Sequence, residues 1–149
     1  MKSLFDPLDS QSLRERLAGL QPGAQRQWGK MTSGQMLAHC AIALGMGTGD
    51  QPRPQKLIGK LLGPFFKSTL LGEKPFSKDG PTDPALIVTG EKDFQAEKKR
   101  LTGLVDRFCA GGPEKADGKM HSFLGKLTGP EWGVMMYKHI DHHLRQFGA

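Results

Sequence analysis

Three of the five histidines fall within five positions near the end of the chain, at His139, His142 and His143, in EWGVMMYKHIDHHLRQFGA. Neutral imidazole is the commonest protein ligand for divalent transition metals, so this concentration raises metal chemistry before any other. The periodicity of the segment predicts a helix, and at 100° per residue Trp132, Met136, Ile140 and Phe147 share a sector of about 80° that must face a core. His143 lies inside that sector and His139 at its edge. Four residues apart, both rings project from one face a turn apart and can reach a single ion. His142 falls about 60° beyond His139, on the flank shared with Lys138 and Arg145, and reads as an exposed or supporting residue.

A core stripe that holds two imidazoles needs a reason, because burying a polar ring without partners costs roughly 1–3 kcal/mol. A shared metal supplies one. His39 poses the same problem, as the single polar side chain in the apolar run QMLAHCAIAL. The same ion can solve it, in a three-nitrogen site with open coordination positions. A hydrogen-bonded core histidine is the plainer alternative for His39, and HxxxH spacing alone is a weak signal. His121, in a loop with glycine and lysine, fits a surface position as well as a site.

The elements that must position these residues are helical, and no segment alternates with period two for long enough to make a substantial strand. A first helix is expected from about Ser10 to Gly19, with Leu13, Leu17 and Leu20 on one face and Gln21-Pro22-Gly23 ending it. The second begins with a capping box, Thr32 to Gln35, and runs to about Gly45 or Gly47. Apolar nearly all round, it must be buried between others. A short helix from Gln55 to about Leu62 is expected to break at Gly63-Pro64. Residues 72–84, rich in Gly, Pro, Lys and Asp, suit an irregular excursion that could wall a site. A helix from about Asp93 to Ala110 carries Phe94, Leu101, Leu104, Val105 and Phe108 and ends at Gly111-Gly112-Pro113. The last helix opens on a second capping box, Thr128 to Glu131, with Pro130 in its first turn, and runs to about Phe147. No repeat or low-complexity tract divides the chain, so residues 1–149 are expected to form one all-α domain.

Composition bounds the rest. At 149 residues with 37% hydrophobic and 24% charged side chains, the chain has the balance of a globular protein. MKSLFDPLDSQSL lacks the apolar run of a signal peptide, and no stretch approaches the ~20 apolar residues of a membrane span, so a cytoplasmic protein without a membrane partner is expected. Cys40 and Cys109 each sit inside a helical pattern and read as reduced core thiols. A formal charge of +6 favours anionic partners in general, but with 7% aromatic residues and no docking motif, nucleic acid is not an expected partner.

Three segments, WGKMTSGQMLAHC, HSFLGKLTGPEW and YKHIDHHLRQFGA, together resemble the DinB-like (DinB/YfiT-like) superfamily of four-helix bundles, in particular a branch of uncharacterised metal-binding members. The likeness runs from Trp28 to the last residue. It implies a DinB-like four-helix bundle with an additional short helix and long connecting loops. It also implies a divalent metal, nickel or zinc ahead of iron or manganese, held by His39, His139 and His143. His142 matches the extra histidine that the superfamily does not generally use as a ligand. Where the superfamily often follows the second ligand of the pair with Arg-Gly-Gln, this chain has Leu144-Arg145-Gln146, which leaves the role of that segment open. The resemblance further implies a small-molecule thiol or other small substrate and a homodimer. Metal-dependent thiol transfer, hydrolysis, and a non-catalytic bundle with a structural ion all stay open, since no nucleophile or substrate motif stands out and no catalytic residue can be named.

Overall fold

In the computed structural model, which describes residues 1–149 except for the side chain at position 85, the chain is an all-α bundle with one minimal hairpin. Its helices are α1 (Pro7–Gly19), α2 (Ser33–Thr48), α3 (Leu57–Leu71), α4 (Phe94–Ala116) and α5 (Gly129–Gln146). The two-residue strands β1 (Met120–His121) and β2 (Gly125–Lys126) pair antiparallel. Four helices form the body. α2 packs along α4 and α5, α1 packs on α4 and α5 from the other side, and α4 also meets α5. The core between them is built from Leu13, Leu17, Met36, Leu37, Leu44, Leu101, Val105, Trp132, Met136 and Ile140.

The helix starts follow their caps. Asp6 accepts hydrogen bonds from the Leu8 and Asp9 amides, with Pro7 in the first turn, so α1 begins three residues ahead of the expected Ser10. Both capping boxes form, Thr32 with Gln35 at α2 and Thr128 with Glu131 at α5. α2 is buried on nearly every side and stops at Gly49, whose φ of 84° suits a residue without a Cβ. In α5, Gly133 admits the N-terminal segment. Its carbonyl accepts from the Leu4 amide, and a Cβ there would stand 2.5 Å from the Phe5 ring.

Two further helices differ from expectation. α3 is a 15-residue helix that continues through Gly63-Pro64, although an internal proline removes a backbone bond and normally ends the element. Tertiary contacts outweigh that local cost. Gly59 and Gly63 lie on the Phe123 backbone, Lys67 pairs with Glu131 at 2.8 Å, and the Lys138 ammonium donates to the Leu70 and Gly72 carbonyls at the helix end. α4 leaves helical geometry where expected, at Gly112 (φ 70°, ψ 175°), but resumes for a turn and ends at Ala116. Neither cysteine is in a disulfide. Cys40 is buried and Cys109 half-buried. No helix is long and apolar enough to cross a membrane.

Candidate metal centre

His39 projects from the middle of α2, and His139 and His143 from successive turns of α5, into the seam between the two helices. Their rings form a near-equilateral triangle, with centroids 4.9 Å apart for His39–His139, 4.7 Å for His39–His143 and 4.9 Å for His139–His143. One ring nitrogen from each lies within 4.8 Å of the other two. Among the described residues, no further histidine, cysteine or carboxylate joins the group.

Two of the three rings are fixed from behind. His39 Nδ1 lies 2.8 Å from the Leu86 carbonyl oxygen. A carbonyl only accepts, so Nδ1 carries the proton and donates it, and the Nε2 lone pair is left free. The Leu86 carbonyl comes from a single 3-10 turn, Pro84–Leu86, which closes the long excursion between α3 and α4. His143 Nδ1 lies 2.8 Å from Gln146 Oε1, while Gln146 Nε2 donates to the Trp28 carbonyl at 2.8 Å. The Trp28 oxygen fixes which end of the amide is the donor. The other end therefore accepts from His143 Nδ1–H, and the Nε2 lone pair again stays free. Holding the far nitrogen of a ligating histidine through a carbonyl or amide is how proteins set the tautomer and aim of metal ligands.

The third ring is left wanting. His139 Nε2 is enclosed and has no hydrogen-bond partner, and it is the one such atom inside the histidine triangle. Its electrostatics agree with a neutral cluster. Burial, and then the neighbouring His143 and His39, hold His139 well below the usual histidine range. Burial pushes His143 down to about 3, against the opposing pull of its bond to Gln146. His39 is lowered by burial, in part offset by the Leu86 carbonyl. Three uncharged imidazoles at close quarters are the protonation state in which histidine ligates.

His142 stands outside the triangle, as its place on the helix implies. It is half-buried, with its ring centroid 5.5 Å from that of Trp28 and 5.9 Å from that of Phe76. With those two rings, Tyr137, Lys78 and Arg145 it lines an open cavity of about 600 Å³. Phe76 and Lys78 come from the excursion that was expected to wall a site. His121 is buried rather than at the surface. Its Nδ1 accepts from the Phe123 and Leu124 amides, and burial pushes it down to about 4. That ring organises the β1–β2 turn.

The supporting groups, Gln146 and the Leu86 carbonyl, are what the sequence reading missed. Gln146 carried a signal, since a residue three after His143 shares its helix face. Replacing Gln146 with leucine is expected to lower affinity for a divalent ion about 10- to 100-fold, as read by competition with a chromophoric chelator. Unchanged affinity would mean that the amide does not orient His143.

No curated protein and no solved structure matches the chain. The family described as "Protein of unknown function (DUF1569)" matches it over residues 4–149, nearly its whole length, and the chain belongs to that family.

Proposed function

We propose that this protein is a divalent-metal-binding member of the DinB-like superfamily, with His39, His139 and His143 as ligands of one ion, and that the ion serves a thiol transferase or hydrolase reaction on a small substrate. The observation that carries the reading is the unpartnered, enclosed His139 Nε2 beside two rings whose Nε2 lone pairs are already free. An apolar or hydrogen-bonding residue at 139 would avoid that cost, and a shared ion offsets it. The limit of 4.8 Å between ligand atoms exceeds the roughly 3.4 Å of tetrahedral ligands at about 2.1 Å, a difference that small side-chain rotations can close. Of the metals that the resemblance implies, nickel and zinc bind an all-imidazole set more tightly than iron and manganese.

Reactivity is favoured over a purely structural ion because the group offers three ligands and no fourth, the donor count of catalytic rather than closed sites. A divalent ion held by His39, His139 and His143 would supply Lewis acidity toward a water or thiol. The chain's own part is to hold three neutral rings, to fix two tautomers through Leu86 and Gln146, and to offer a neighbouring cavity. There Trp28, Phe76 and Tyr137 can pack an apolar group, and Lys78 and Arg145 favour an anionic one.

Elemental analysis of protein purified without an affinity tag tests the ligand set. Near-stoichiometric nickel or zinc in the wild type is the expected result. Protein that carries no metal and takes none up would refute the reading. Thiol-transfer and hydrolysis panels on the loaded protein then separate the roles. Metal-dependent turnover supports catalysis, whereas an inert protein with a greatly raised melting temperature supports a structural ion.

A further inference from the structure

His39 owes its tautomer to one backbone oxygen, and that oxygen belongs to a segment with little regular structure. Between the end of α3 at Leu71 and the start of α4 at Phe94, the described backbone forms one short element, the 3-10 turn Pro84–Leu86. Such a turn has few hydrogen bonds of its own and little cohesion. The Leu86 amide donates to the Asp83 carbonyl at 2.8 Å, and the Ile87 amide to the Pro84 carbonyl at 3.3 Å. The Leu86 side chain is buried in the core, which places the residue without fixing the direction of its carbonyl. Drift of about 1 Å would carry that oxygen out of hydrogen-bonding range of His39 Nδ1, which now lies 2.8 Å away.

We propose that Lys56 and Asp83 are positioning residues for His39, their ion pair holding the Pro84–Leu86 turn so that the Leu86 carbonyl keeps the ring in its Nδ1–H tautomer with Nε2 free for an ion. The proposal rests on the reading of His39 as a metal ligand. Asp83 is the residue whose carbonyl closes the turn, and its Oδ1 accepts from the Lys56 ammonium. The Asp83 side chain is 13% exposed and that of Lys56 37%, so water and salt screen the pair less than one at the open surface. Lys56 is itself well seated. It stands immediately before α3, its amide donates to the Ser122 carbonyl at 2.9 Å, and Gly59 and Gly63 set the following turns against the Phe123 backbone. Contacts therefore run without a gap from the seat of α3 through Lys56, Asp83 and the Leu86 oxygen to His39. Outer groups that orient a ligating histidine act in this way on the affinity of the site.

Lys56→Met tests the pair with little risk to the fold. The Lys56 side chain does not cap α3 and the bond to Ser122 uses its amide, so methionine removes the ammonium and leaves the helix start intact, which circular dichroism verifies. Long-range proton–nitrogen NMR correlations of the histidine rings, recorded on metal-free protein, read the tautomer. The wild type is expected to carry the His39 proton on Nδ1, and Lys56→Met to divide that ring between both tautomers. Zinc affinity, read by competition with a chromophoric chelator, is expected to fall about 10-fold in the same variant. Lys56→Arg, which keeps the ion pair, should restore both readings. Lys67→Met, which breaks the α3 ion pair with Glu131, should change neither, and so separates positioning of His39 from a general loosening of the helix. A wild type with the His39 proton on Nε2 would overturn the proposal. So would a Lys56→Met protein that keeps the wild-type tautomer or binds zinc as tightly as the wild type, or a Lys67→Met protein that shifts the tautomer as far. A tautomer shift in Lys56→Met, alongside a wild type that takes up no zinc, would uphold the clamp on the ring and refute the metal reading alone.

Discussion

Replacing His139 with leucine is expected to shift stability in opposite directions in the metal-free and metal-loaded protein. In the metal-free wild type, the enclosed Nε2 has no partner, and an unsatisfied buried polar group costs about 1–3 kcal/mol. Leucine is of similar volume and makes no such demand, so metal-free His139→Leu should be as stable as the wild type or about 1 kcal/mol more stable in denaturant titrations. With nickel or zinc at a hundred times its dissociation constant, the wild type gains about 2.7 kcal/mol by mass action, and the variant, short of one ligand in three, gains little. The two stability curves therefore cross as metal is added. A histidine kept only for core hydrogen bonding gives the other pattern, in which the variant is less stable throughout and metal changes neither protein. That outcome would remove His139 from the site and the metal reading with it.

The reason so much of this seam was legible in advance is that its main parts are local. The register of α5 is fixed by Thr128, Pro130 and Glu131 at its start and by Trp132, Met136 and Ile140 along its buried face, so the directions of His139, His142 and His143 followed from helical geometry alone. His39 stood out because the helix around it has almost no other polar side chain. What stayed hidden depends on distant chain meeting distant chain. The Leu86 oxygen that sets the His39 tautomer is a backbone atom 47 residues away, and backbone carbonyls leave no mark in composition. Trp28, which fixes the Gln146 amide, lies 118 residues from it. α3 misled for a related reason. Gly63-Pro64 is a sound local stop signal, but the two glycines are also what lets the helix settle on the Phe123 backbone, and that packing decided the matter. His121 was ambiguous because a loop histidine has no periodic neighbour to say which way it faces, and here it turns inward to accept two amides of its own turn.

Acid should destabilise the metal-free protein as its buried, neutral histidines come under pressure to take up protons. In an unfolded chain each histidine takes up a proton near pH 6.5. In the folded protein burial holds His121 to about 4 and His143 to about 3, and keeps His139 and His39 below the ordinary value as well. Between pH 6.5 and those lower values the unfolded chain binds more protons than the folded one, so the free energy of unfolding rises with pH across this window and levels off above it. The stability these neutral rings permit is fully present above about pH 6.5 and is lost as pH falls toward 4 and 3. With several histidines acting together, the loss between pH 7 and 5 should reach a few kcal/mol and appear as a lower denaturant midpoint with an unchanged slope. Glu131 does not account for it. Glu131, held below its usual value by Lys67 and the Thr128 cap against the opposing effect of burial, would lose its contribution only at lower pH. Bound metal should add to the effect, because protons compete with the ion for the same nitrogens and the unfolded chain holds no preformed site. His139→Leu, with one neutral ring fewer to protect, should lose less stability over the same range. A denaturant midpoint that stays flat from pH 7 to 5 in both proteins would show that the folded cluster accepts protons as readily as free imidazole, and would overturn the picture of three uncharged rings held ready for an ion.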